Sequence, residues 1–411
     1  MKKLEVFFWG WGQNWLLGTL ADNGRDLLFE YSPQALAKGI ELSPRTLKLQ
    51  AGAYGDFPAH QHRLPGLMAD ALPDGWGLLL MDRLFVKQGL ERSQISPLDR
   101  LAFMGERTMG ALVFKPATNL ALPPADIELL ELARQARAVI AGKESAALKQ
   151  LMLLGGSPHG ARPKVLAQYD AAAGRVSTDE AAAGTPWLVK FPGKDEHKEV
   201  CAVEHLYAQL ARNCQLEMPR TQYFDLDKHL AGFGIERFDR HTGPQGVMRV
   251  PVHTLAGALN TNFRLPSIGY QSLLRATRAL THSEREVEKA FERCVFNVVF
   301  NNRDDHAKNF SFRMDASFTW KLAPCYDLTY NEGPGGEHQM DVEGEGRSPS
   351  RANLLRLAAI NSLKPEWAAS VIDRTTAAAG EFSSLANNYA IRPATLNTMV
   401  RAIEKNRLRM V

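Results

Sequence analysis

The chain has 411 residues, of which 45% are hydrophobic and 23% are charged. It is long enough for roughly two or three globular domains, each with a core of its own. The formal net charge is only +4 and the basic residues are scattered, so charge alone gives no argument for nucleic-acid binding.

Membrane and secretory classes are also disfavoured. No eighteen consecutive apolar residues occur, so the sequence predicts no membrane span. The apolar N-terminus is interrupted by Gln13 and Asn14, and no small-residue cleavage site follows, which argues against a signal peptide. The four cysteines lack the spacing of a structural zinc site. We therefore expect a cytoplasmic protein without a membrane partner.

The first 120 residues predict strands followed by a helix. Residues 1–50 contain the strand-like runs LEVFFWG and DLLFEY, separated by turn formers, which predict a small sheet. Pro73 and Asp74 open a segment of helical period that runs past Leu84. The proline pair of ALPPAD near Leu120 then predicts a domain boundary, followed by a helix in IELLELARQARAVIAG.

The next segments predict a hairpin and two helices. KQLMLLGGSPHGARPKVLAQYD and TPWLVKFPG resemble two β runs flanking an Ala/Gly-rich turn, and EVCAVEHLYAQLARNC has helical spacing. Ser283 and Glu286 match a capping box ahead of a buried helix, which leads into NNRDDHAKNFSF. Residues 331–350 are rich in Gly and Glu and predict a mobile loop.

The polar cluster of NNRDDHAKN, between the apolar runs VFNVVF and FSF, is the strongest candidate for chemistry. Phosphoryl transfer needs a carboxylate to orient the attacking hydroxyl and oxygen ligands for Mg²⁺. Asp304 followed five residues later by Asn309 reproduces the spacing of a kinase catalytic loop. The alternative is a polar loop that caps two strands.

Asp327 follows in CYDLTY, eighteen residues beyond Asn309 and after a strand-like run. A carboxylate at such a position suits a second Mg²⁺ ligand. The alternative is an Asp that forms a turn or caps a helix.

A glycine-containing loop and a lysine on a strand could bind phosphate. GGSPHGARPK supplies Gly155, Gly156 and Gly160, which let backbone amides approach a nucleotide, although no Walker A motif is present. Lys190 lies between the apolar Val189 and Phe191 on a β run. The alternatives are an ordinary turn and a solvent-facing lysine on an edge strand.

Taken in order, Gly160-x-x-x-Lys164, WLVKFP, IERFDR, NNRDDHAKNFSF and CYDLTY resemble the HipA family of bacterial toxin kinases. LPDGWGLLLMDR and LDRLAFMGERTMGALVF are similar to the N-terminal subdomain of that family. The resemblance implies an α+β fold, in which a small N-terminal β-rich subdomain (1–120) precedes a kinase-like bilobal core. That core would divide into an ATP-binding part (121–240) and a mainly helical C-terminal lobe with the catalytic and metal-binding loops (241–411).

The family resemblance also implies roles for individual residues. Asp304 would be the catalytic base, and Asn309 and Asp327 would bind Mg²⁺. The expected ATP contacts are Gly156, Gly160, Lys164, Lys190, Glu236, Phe238, His306 and Asn309. Of these, Glu236 and Phe238 would hold adenine, unless ERFDR is only an ion-paired surface strand, and His306 would stabilise the catalytic loop. Glu204 would partner the lysine, or else lie on a solvated helix face.

Regulation and partners follow from the same resemblance. Alignment on Gly160 and Lys164 places Ser157 where the family has an autophosphorylated serine, although a turn-forming serine is the alternative. The expected partners are a helix-turn-helix antitoxin of HipB type and a protein substrate such as an aminoacyl-tRNA synthetase. DNA would be reached only through the antitoxin.

Two other functions remain open from the residues. One is a metal-dependent hydrolase in which Asp304, Asp305 and His306 bind a metal that activates water, which leaves the glycine loop and Lys190 unused. The other is a nucleotide-binding pseudokinase or repressor partner, against which the intact set of Asp304, Asn309 and Asp327 argues.

Overall fold

A computed structural model describes residues 1–118, 127–143, 148–155, 159–179, 182–244 and 246–411 of the chain. Within these ranges no helix combines the length and the apolarity needed to cross a membrane. The fold is α+β, with a β-rich N-terminal region and a mainly helical C-terminal region, which confirms the predicted class.

The described residues form two compact units. The first unit consists of Met1–Lys198, Gln222–His253 and Met314–Phe318. The second unit consists of Glu199–Thr221, Thr254–Arg313 and Thr319–Val411. The domain boundaries at residues 120 and 240 stay a prediction.

The N-terminal sheet contains the two predicted strand-like runs as its first and third strands, together with three strands that were not predicted. Its strands are β1 (Lys3–Gly10), β2 (Gln13–Asp22), β3 (Leu27–Tyr31), β4 (Ala53–Tyr54) and β5 (Leu112–Lys115). They lie in the order β4-β3-β2-β1-β5, and each neighbouring pair is antiparallel. In β1, Leu4, Val6 and Phe8 are fully buried while the residues between them are more exposed. This alternation is what a strand with one face on the core requires.

Six α-helices of the same unit lie within the described ranges. They are α1 (Pro33–Lys38), α2 (Gly66–Ala69), α3 (Gly75–Lys87), α4 (Pro97–Met104), α5 (Leu129–Ile140) and α6 (Leu148–Gly155). The helices expected after Asp74 and in IELLELARQARAVIAG are confirmed as α3 and α5. The expected strand in KQLMLLG is wrong, because this segment is α6. Its Leu, Lys, Gln and Met residues favour helix, and a short apolar run cannot be assigned from periodicity alone.

A second sheet carries the predicted hairpin. Its strands are β6 (Lys164–Asp170), β7 (Arg175–Ser177), β8 (Thr185–Lys190), β9 (Thr221–Asp225) and β10 (Ala231–Glu236), in the order β7-β6-β8-β10-β9. A hairpin of β11 (Arg240–Gly243) and β12 (Gly246–Arg249) follows. Helices α3, α5 and α6 share one hydrophobic core with β6 and β8. The N-terminal segment and the second sheet are therefore packed into one body.

The remaining elements are mostly helical. The helices are α7 (Glu199–Asn213), α8 (Leu255–Leu259), α9 (Tyr270–Thr281), α10 (Glu284–Val299), α11 (Arg351–Ile360), α12 (Pro365–Gly380), α13 (Phe382–Ala386) and α14 (Pro393–Arg407). A three-stranded sheet has the order β13 (Val252–Thr254), β14 (Ser311–Met314) and β15 (Trp320–Leu322). Helix α7 confirms the prediction for EVCAVEHLYAQLARNC.

Helix α10 is buried as predicted, but its capping box does not form. The side chain of Ser283, at the N-cap, makes no capping hydrogen bond. The carboxylate of Glu286 instead accepts from the backbone N of Leu322 at 2.9 Å and from Lys289 Nζ at 3.0 Å. A tertiary contact therefore replaces the local one.

Residues 331–350 form a loop, as predicted, and the loop is packed. It contains a short 3₁₀-type turn at Pro334–Gly336, in which Gly335 has a left-handed φ of 63°. The side chains of His338, Met340 and Val342 are buried. The expectation of a mobile loop overlooked these anchors, because Gly and Glu residues dominate the composition around them.

Candidate active site

The loop after α10 carries the predicted catalytic residues. Asn301, two residues beyond the helix, has a φ of 55°, a left-handed value that Asn tolerates better than most residues. Its Nδ2 donates to the backbone O of Asn331 at 3.1 Å, and the backbone N of Asn331 donates back to Asn301 O at 3.1 Å. These bonds fasten the start of the catalytic loop to the segment that begins at Asn331.

The structure brings Asp304 and Asn309 together. The Nδ2 atom of Asn309 donates to the backbone O of Asp304 at 2.6 Å. The Asp304 side chain remains 42% exposed, with Oδ1 at 3.7 Å from His306 Nε2. Asn309 therefore holds the backbone of Asp304, while the carboxylate stays within reach of a hydroxyl from solvent.

His306 shapes the turn between these two residues. It stands at the N-cap of the 3₁₀ turn Ala307–Asn309, and its Nδ1 accepts from the backbone N of Lys308 at 3.2 Å. Its ring also contacts Phe263, with centroids 5.3 Å apart. This geometry agrees with the expected stabilising role, and contact with ATP stays a prediction.

Asp305 holds the loop from inside the protein, a role that the sequence did not reveal. Its fully buried carboxylate accepts from Tyr270 Oη at 2.7 Å, from the backbone N of Gln339 at 2.8 Å, and makes a 2.7 Å hydrogen bond with His338 Nδ1. Burial and the Asp305 carboxylate raise the pKa of Tyr270 well above its usual value, so this hydroxyl stays protonated and donates. The one signal in the sequence is a second Asp between apolar runs.

The Asp305 network continues into α10. Asn297 Nδ2 donates to Tyr270 Oη at 2.9 Å, and Asn302 Nδ2 donates to Asn297 Oδ1 at 2.9 Å. All of these side chains are buried. Buried polar groups linked in this way fix one conformation, because each lost partner would leave another group unsatisfied.

Asp327 lies in a segment that is tied to Asn309. Its neighbour Tyr326 donates from Oη to the backbone O of Lys308 at 2.6 Å and lies 2.6 Å from Ser311 Oγ. Asn309 and Tyr326 also line the same small cavity. Asp327 itself has a φ of 52°, so it does occupy a turn conformation. The turn conformation of the alternative is therefore present, and the segment also lies beside residues that flank Asn309, while Mg²⁺ binding by Asp327 stays a prediction.

Asn309 and Asp327 offer oxygen donor atoms, and Mg²⁺ binding by them stays a prediction. The amide oxygen of Asn309 and the carboxylate of Asp327 are hard ligands of the kind that Mg²⁺ takes together with substrate phosphates. No group of three or more His, Cys, Asp or Glu residues that could hold a metal occurs in the described ranges. The hydrolase alternative also required Asp305, whose carboxylate is committed to the three partners given above.

Two lysines face each other on the second sheet. Lys164 in β6 is paired directly with Lys190 in β8, and both side chains are buried. The Nζ atom of Lys190 lies 5.7 Å from the centre of the Phe233 ring. The alternative of a solvent-facing lysine on an edge strand is wrong, because β8 lies between β6 and β10. The two lysines are therefore brought together on one face of the sheet, and their contact with phosphate stays a prediction.

The glycine-containing loop is described from His159 onward. Gly156 and Ser157 lie outside the described residues. Gly160 has a φ of 109°, and a Cβ atom there would come within 2.4 Å of Lys164 Nζ. Lys164 Nζ donates to the backbone O of His159. The backbone conformation at position 160 therefore favours glycine.

The segment IERFDR contains an ion-paired cluster around a buried aspartate. Glu236 ends β10 opposite Trp187, and Phe238 follows in the turn, both partly exposed. Asp239 is fully buried between Arg237 and Arg240, at 2.8 and 2.7 Å. Burial alone would raise its pKa, but the two guanidinium groups hold it well below the usual range. The ion pairs of the alternative are present, but they surround a buried carboxylate in a turn and do not lie along a surface strand, and adenine binding stays a prediction.

Glu204 is buried in α7, with an exposed fraction of 3%. The alternative of a solvated helix face is therefore wrong for this residue. Buried carboxylates are rare unless they are paired. Its function as a lysine partner stays a prediction.

A Ser-His-Asp arrangement in the first unit does not form a hydrolytic site. Ser43 Oγ lies 3.0 Å from His253 Nε2, and His253 Nδ1 lies 2.7 Å from Asp70 Oδ2. These distances are within the range of a catalytic triad. Ser43 and His253 are each only 1% exposed, however, so an acyl substrate has no access to the hydroxyl. The arrangement is a buried structural network.

Family models match most of the chain. Residues 4–115 match the HipA N-terminal domain, and residues 156–382 match the HipA-like C-terminal domain. None of the curated proteins is significantly similar in sequence.

Two solved structures are similar to the chain at low sequence identity. One is from the complex of the Shewanella oneidensis MR-1 toxin-antitoxin proteins HipA and HipB with operator DNA, with a TM-score of 0.69 and 18% identity. That match covers 99% of this chain and 96% of the other. The second is the Helicobacter pylori proinflammatory kinase CtkA, with a TM-score of 0.37, 13% identity, and coverage of 56% and 89%.

Proposed function

The chain belongs to the HipA family, and from this premise we propose that it is a Mg²⁺-dependent and ATP-dependent serine/threonine protein kinase that acts as a toxin. The observation that carries the proposal is the 2.6 Å hydrogen bond from Asn309 Nδ2 to Asp304 O. This bond joins two residues that have the spacing of a kinase catalytic loop, and the carboxylate of Asp304 is partly exposed. Purified protein should therefore turn over ATP in the presence of Mg²⁺, and a metal hydrolase or a pseudokinase should not.

Each residue has a distinct role in the proposed reaction. Asp304 orients the acceptor hydroxyl and takes its proton as the oxygen attacks the γ-phosphate. The bond from the γ-phosphorus to the β,γ-bridging oxygen breaks, and ADP leaves with that oxygen. Asn309 and Asp327 hold Mg²⁺, which neutralises charge on the phosphates when it is bound. Gly156, Gly160, Lys164 and Lys190 contact phosphate oxygens, Glu236 and Phe238 hold adenine, and His306 keeps the catalytic loop in shape.

The proposed partners follow the family premise. The Shewanella protein is solved in a complex with HipB and operator DNA. We therefore propose that this chain binds an antitoxin of HipB type, which contains a helix-turn-helix. The chain would contact DNA only through that antitoxin. The proposed acceptor is a protein involved in translation, with an aminoacyl-tRNA synthetase as the leading class. Phosphoproteomes of cells with the active enzyme and with an inactive variant would identify it.

The Asp327→Ala variant should bind Mg-ATP more weakly than wild type. Removal of the carboxylate leaves phosphate charge uncompensated, so we expect a loss of affinity of about tenfold or more, equivalent to about 1.4 kcal/mol. Calorimetric titration with ATP, with and without Mg²⁺, measures the effect. Asp373→Ala is the matched control, because this Asp is on α12 with a 63% exposed side chain. Unchanged Mg²⁺-dependent affinity in Asp327→Ala would leave only the turn-forming role.

Ser157 should be phosphorylated by the protein itself, and the modified protein should bind ATP poorly. A phosphate there adds roughly 1.5 to 2 negative charges to a loop expected to cover the ATP phosphates. Incubation with Mg-ATP followed by peptide mass spectrometry tests this in wild type and in Asp304→Asn, and Ser157→Ala should keep its ATP affinity after incubation. An unmodified Ser157, or a modified one with normal ATP binding, would contradict the proposal.

A further inference from the structure

Two segments of the first unit, far apart in sequence, interlock beside the glycine-containing loop. The first is residues 72–76, from the LPDGW sequence, and the second is residues 159–164. The backbone N of Gly160 donates to Asp74 Oδ1, and the backbone N of Trp76 donates to Gly160 O at 3.0 Å. Both backbone groups of Gly160 are thus held by the first segment, which fixes the orientation of this peptide.

The contacts continue on both sides of Gly160. His159 Nε2 lies 3.1 Å from the backbone O of Leu72, and Trp76 Nε1 donates to the backbone O of Lys164 at 3.2 Å. Trp76 is 1% exposed and Lys164 is 2% exposed. The indole therefore fixes the backbone of a lysine that the proposed function places against ATP.

Asp74 lies at a helix N-cap, but its side chain does not cap that helix. It occupies the N-cap of α3, where an Asp ordinarily accepts from the first turn of its own helix, but its side chain makes no capping hydrogen bond there. Its carboxylate accepts from Gly160 instead. The two segments therefore exchange hydrogen bonds, since Asp74 accepts from Gly160 N and Gly160 O accepts from Trp76 N in the first turn of α3.

Gly75 permits the close approach of the two segments. It has a φ of 37°, and a Cβ atom on it would lie 2.5 Å from the backbone O of Gly160 and 2.8 Å from the Cα of Ala161. Real Cβ atoms do not approach backbone atoms so closely, so any side chain at position 75 must displace the 159–164 segment.

We propose that Asp74, Gly75 and Trp76 are positioning residues for ATP, which set the conformation of the Gly160–Lys164 segment. This inference rests on the proposed kinase function, because it assumes that Gly160 and Lys164 contact the phosphates. The N-terminal domain thereby becomes part of the ATP-binding apparatus. Backbone amides and a lysine bind phosphate well only when they are fixed in advance, so a displaced segment binds ATP weakly.

Gly75→Ala compared with Gly89→Ala tests the inference in the full chain. Gly89 has a φ of 86° and no atom near a Cβ built on it, so both variants suffer backbone strain but only Gly75→Ala displaces the loop. We expect calorimetry to show Mg-ATP affinity reduced about tenfold or more in folded Gly75→Ala, and within about twofold of wild type in Gly89→Ala. Wild-type affinity in folded Gly75→Ala would overturn the inference.

Asp74→Ala and Asp74→Asn provide a second test that does not depend on strain. Asn keeps an oxygen that can accept from Gly160 N, whereas Ala does not. We expect Asp74→Ala to lose about tenfold in Mg-ATP affinity and Asp74→Asn to stay within about threefold of wild type. Equal Mg-ATP affinity of the two variants would overturn the inference. If Asp74 served only in packing, its substitution would lower the melting temperature but would not make the affinities of the two variants differ. Absence of ATP binding by wild type would instead overturn the kinase proposal, and this inference with it.

Discussion

Asp304→Asn should abolish phosphoryl transfer while the fold and the affinity for ATP stay close to those of wild type. The substitution removes the proton-accepting carboxylate but preserves the backbone O that Asn309 holds at 2.6 Å. The side chain is 42% exposed, so its replacement disturbs little of the core. General base catalysis contributes typically about 10²- to 10⁴-fold, and we expect a rate loss in this range.

The rate of γ-phosphate transfer to protein, or of ATP turnover, measures this loss, and calorimetry measures ATP affinity in the same preparation. Asp373→Asn makes the same chemical change on α12, away from the proposed site, and should leave both quantities unchanged. A wild-type rate in Asp304→Asn would show that another group takes the proton. A rate loss that is matched by a loss of ATP affinity would show that Asp304 binds the nucleotide instead.

Local patterns predicted the parts of the fold and of the candidate site that depend on neighbouring residues. The alternation of LEVFFWG and the helical period after Asp74 each lie within one element, and both predictions are confirmed. The Asp304–Asn309 pair is also local, since five residues separate the two, and the structure brings them into contact. Their catalytic roles stay a prediction.

The predictions that failed, or were not made, depend on contacts between distant segments. The cap expected for α10 is absent because Glu286 binds the backbone of Leu322, which is 36 residues away. Asp305 was considered only as a metal ligand in the hydrolase alternative, because no neighbouring residue in the sequence indicates that His338 is its partner. The contact of Asp74 with Gly160 spans 86 residues and cannot be read from either motif alone. Each motif had a visible pattern, but their pairing is a property of the fold.

Asp304 and Asp305, two adjacent acidic residues of the catalytic loop, have different surroundings. Their substitutions should therefore have opposite effects on the structure of the loop. The Asp304 side chain is 42% exposed, whereas Asp305 is fully buried and bound to three groups. Asp304 can therefore be replaced without loss of structure. Asp305 cannot, because each buried donor that loses its acceptor costs about 1 to 3 kcal/mol.

Asp305→Ala should open the catalytic loop and lower activity indirectly. The variant leaves Tyr270 Oη, His338 Nδ1 and the backbone N of Gln339 without the acceptor they share, at a total cost of at least about 3 kcal/mol. Local opening of residues 301–310 and 331–343 should therefore become easier. Amide hydrogen exchange read by mass spectrometry should show protection in both segments reduced about a hundredfold or more, since about 1.4 kcal/mol corresponds to tenfold.

Asp373→Ala is the control for Asp305→Ala and should leave exchange in these segments unchanged. Tyr270→Phe, which removes one of the three donors, should reduce protection less than Asp305→Ala does, and the double variant should show a smaller loss than the sum, because the two side chains share one hydrogen bond. Wild-type protection in Asp305→Ala would mean that the carboxylate does not hold the loop. Reduced protection in Asp305→Ala, with full protection in the inactive Asp304→Asn, would establish that one acidic residue shapes this loop and its neighbour serves the reaction.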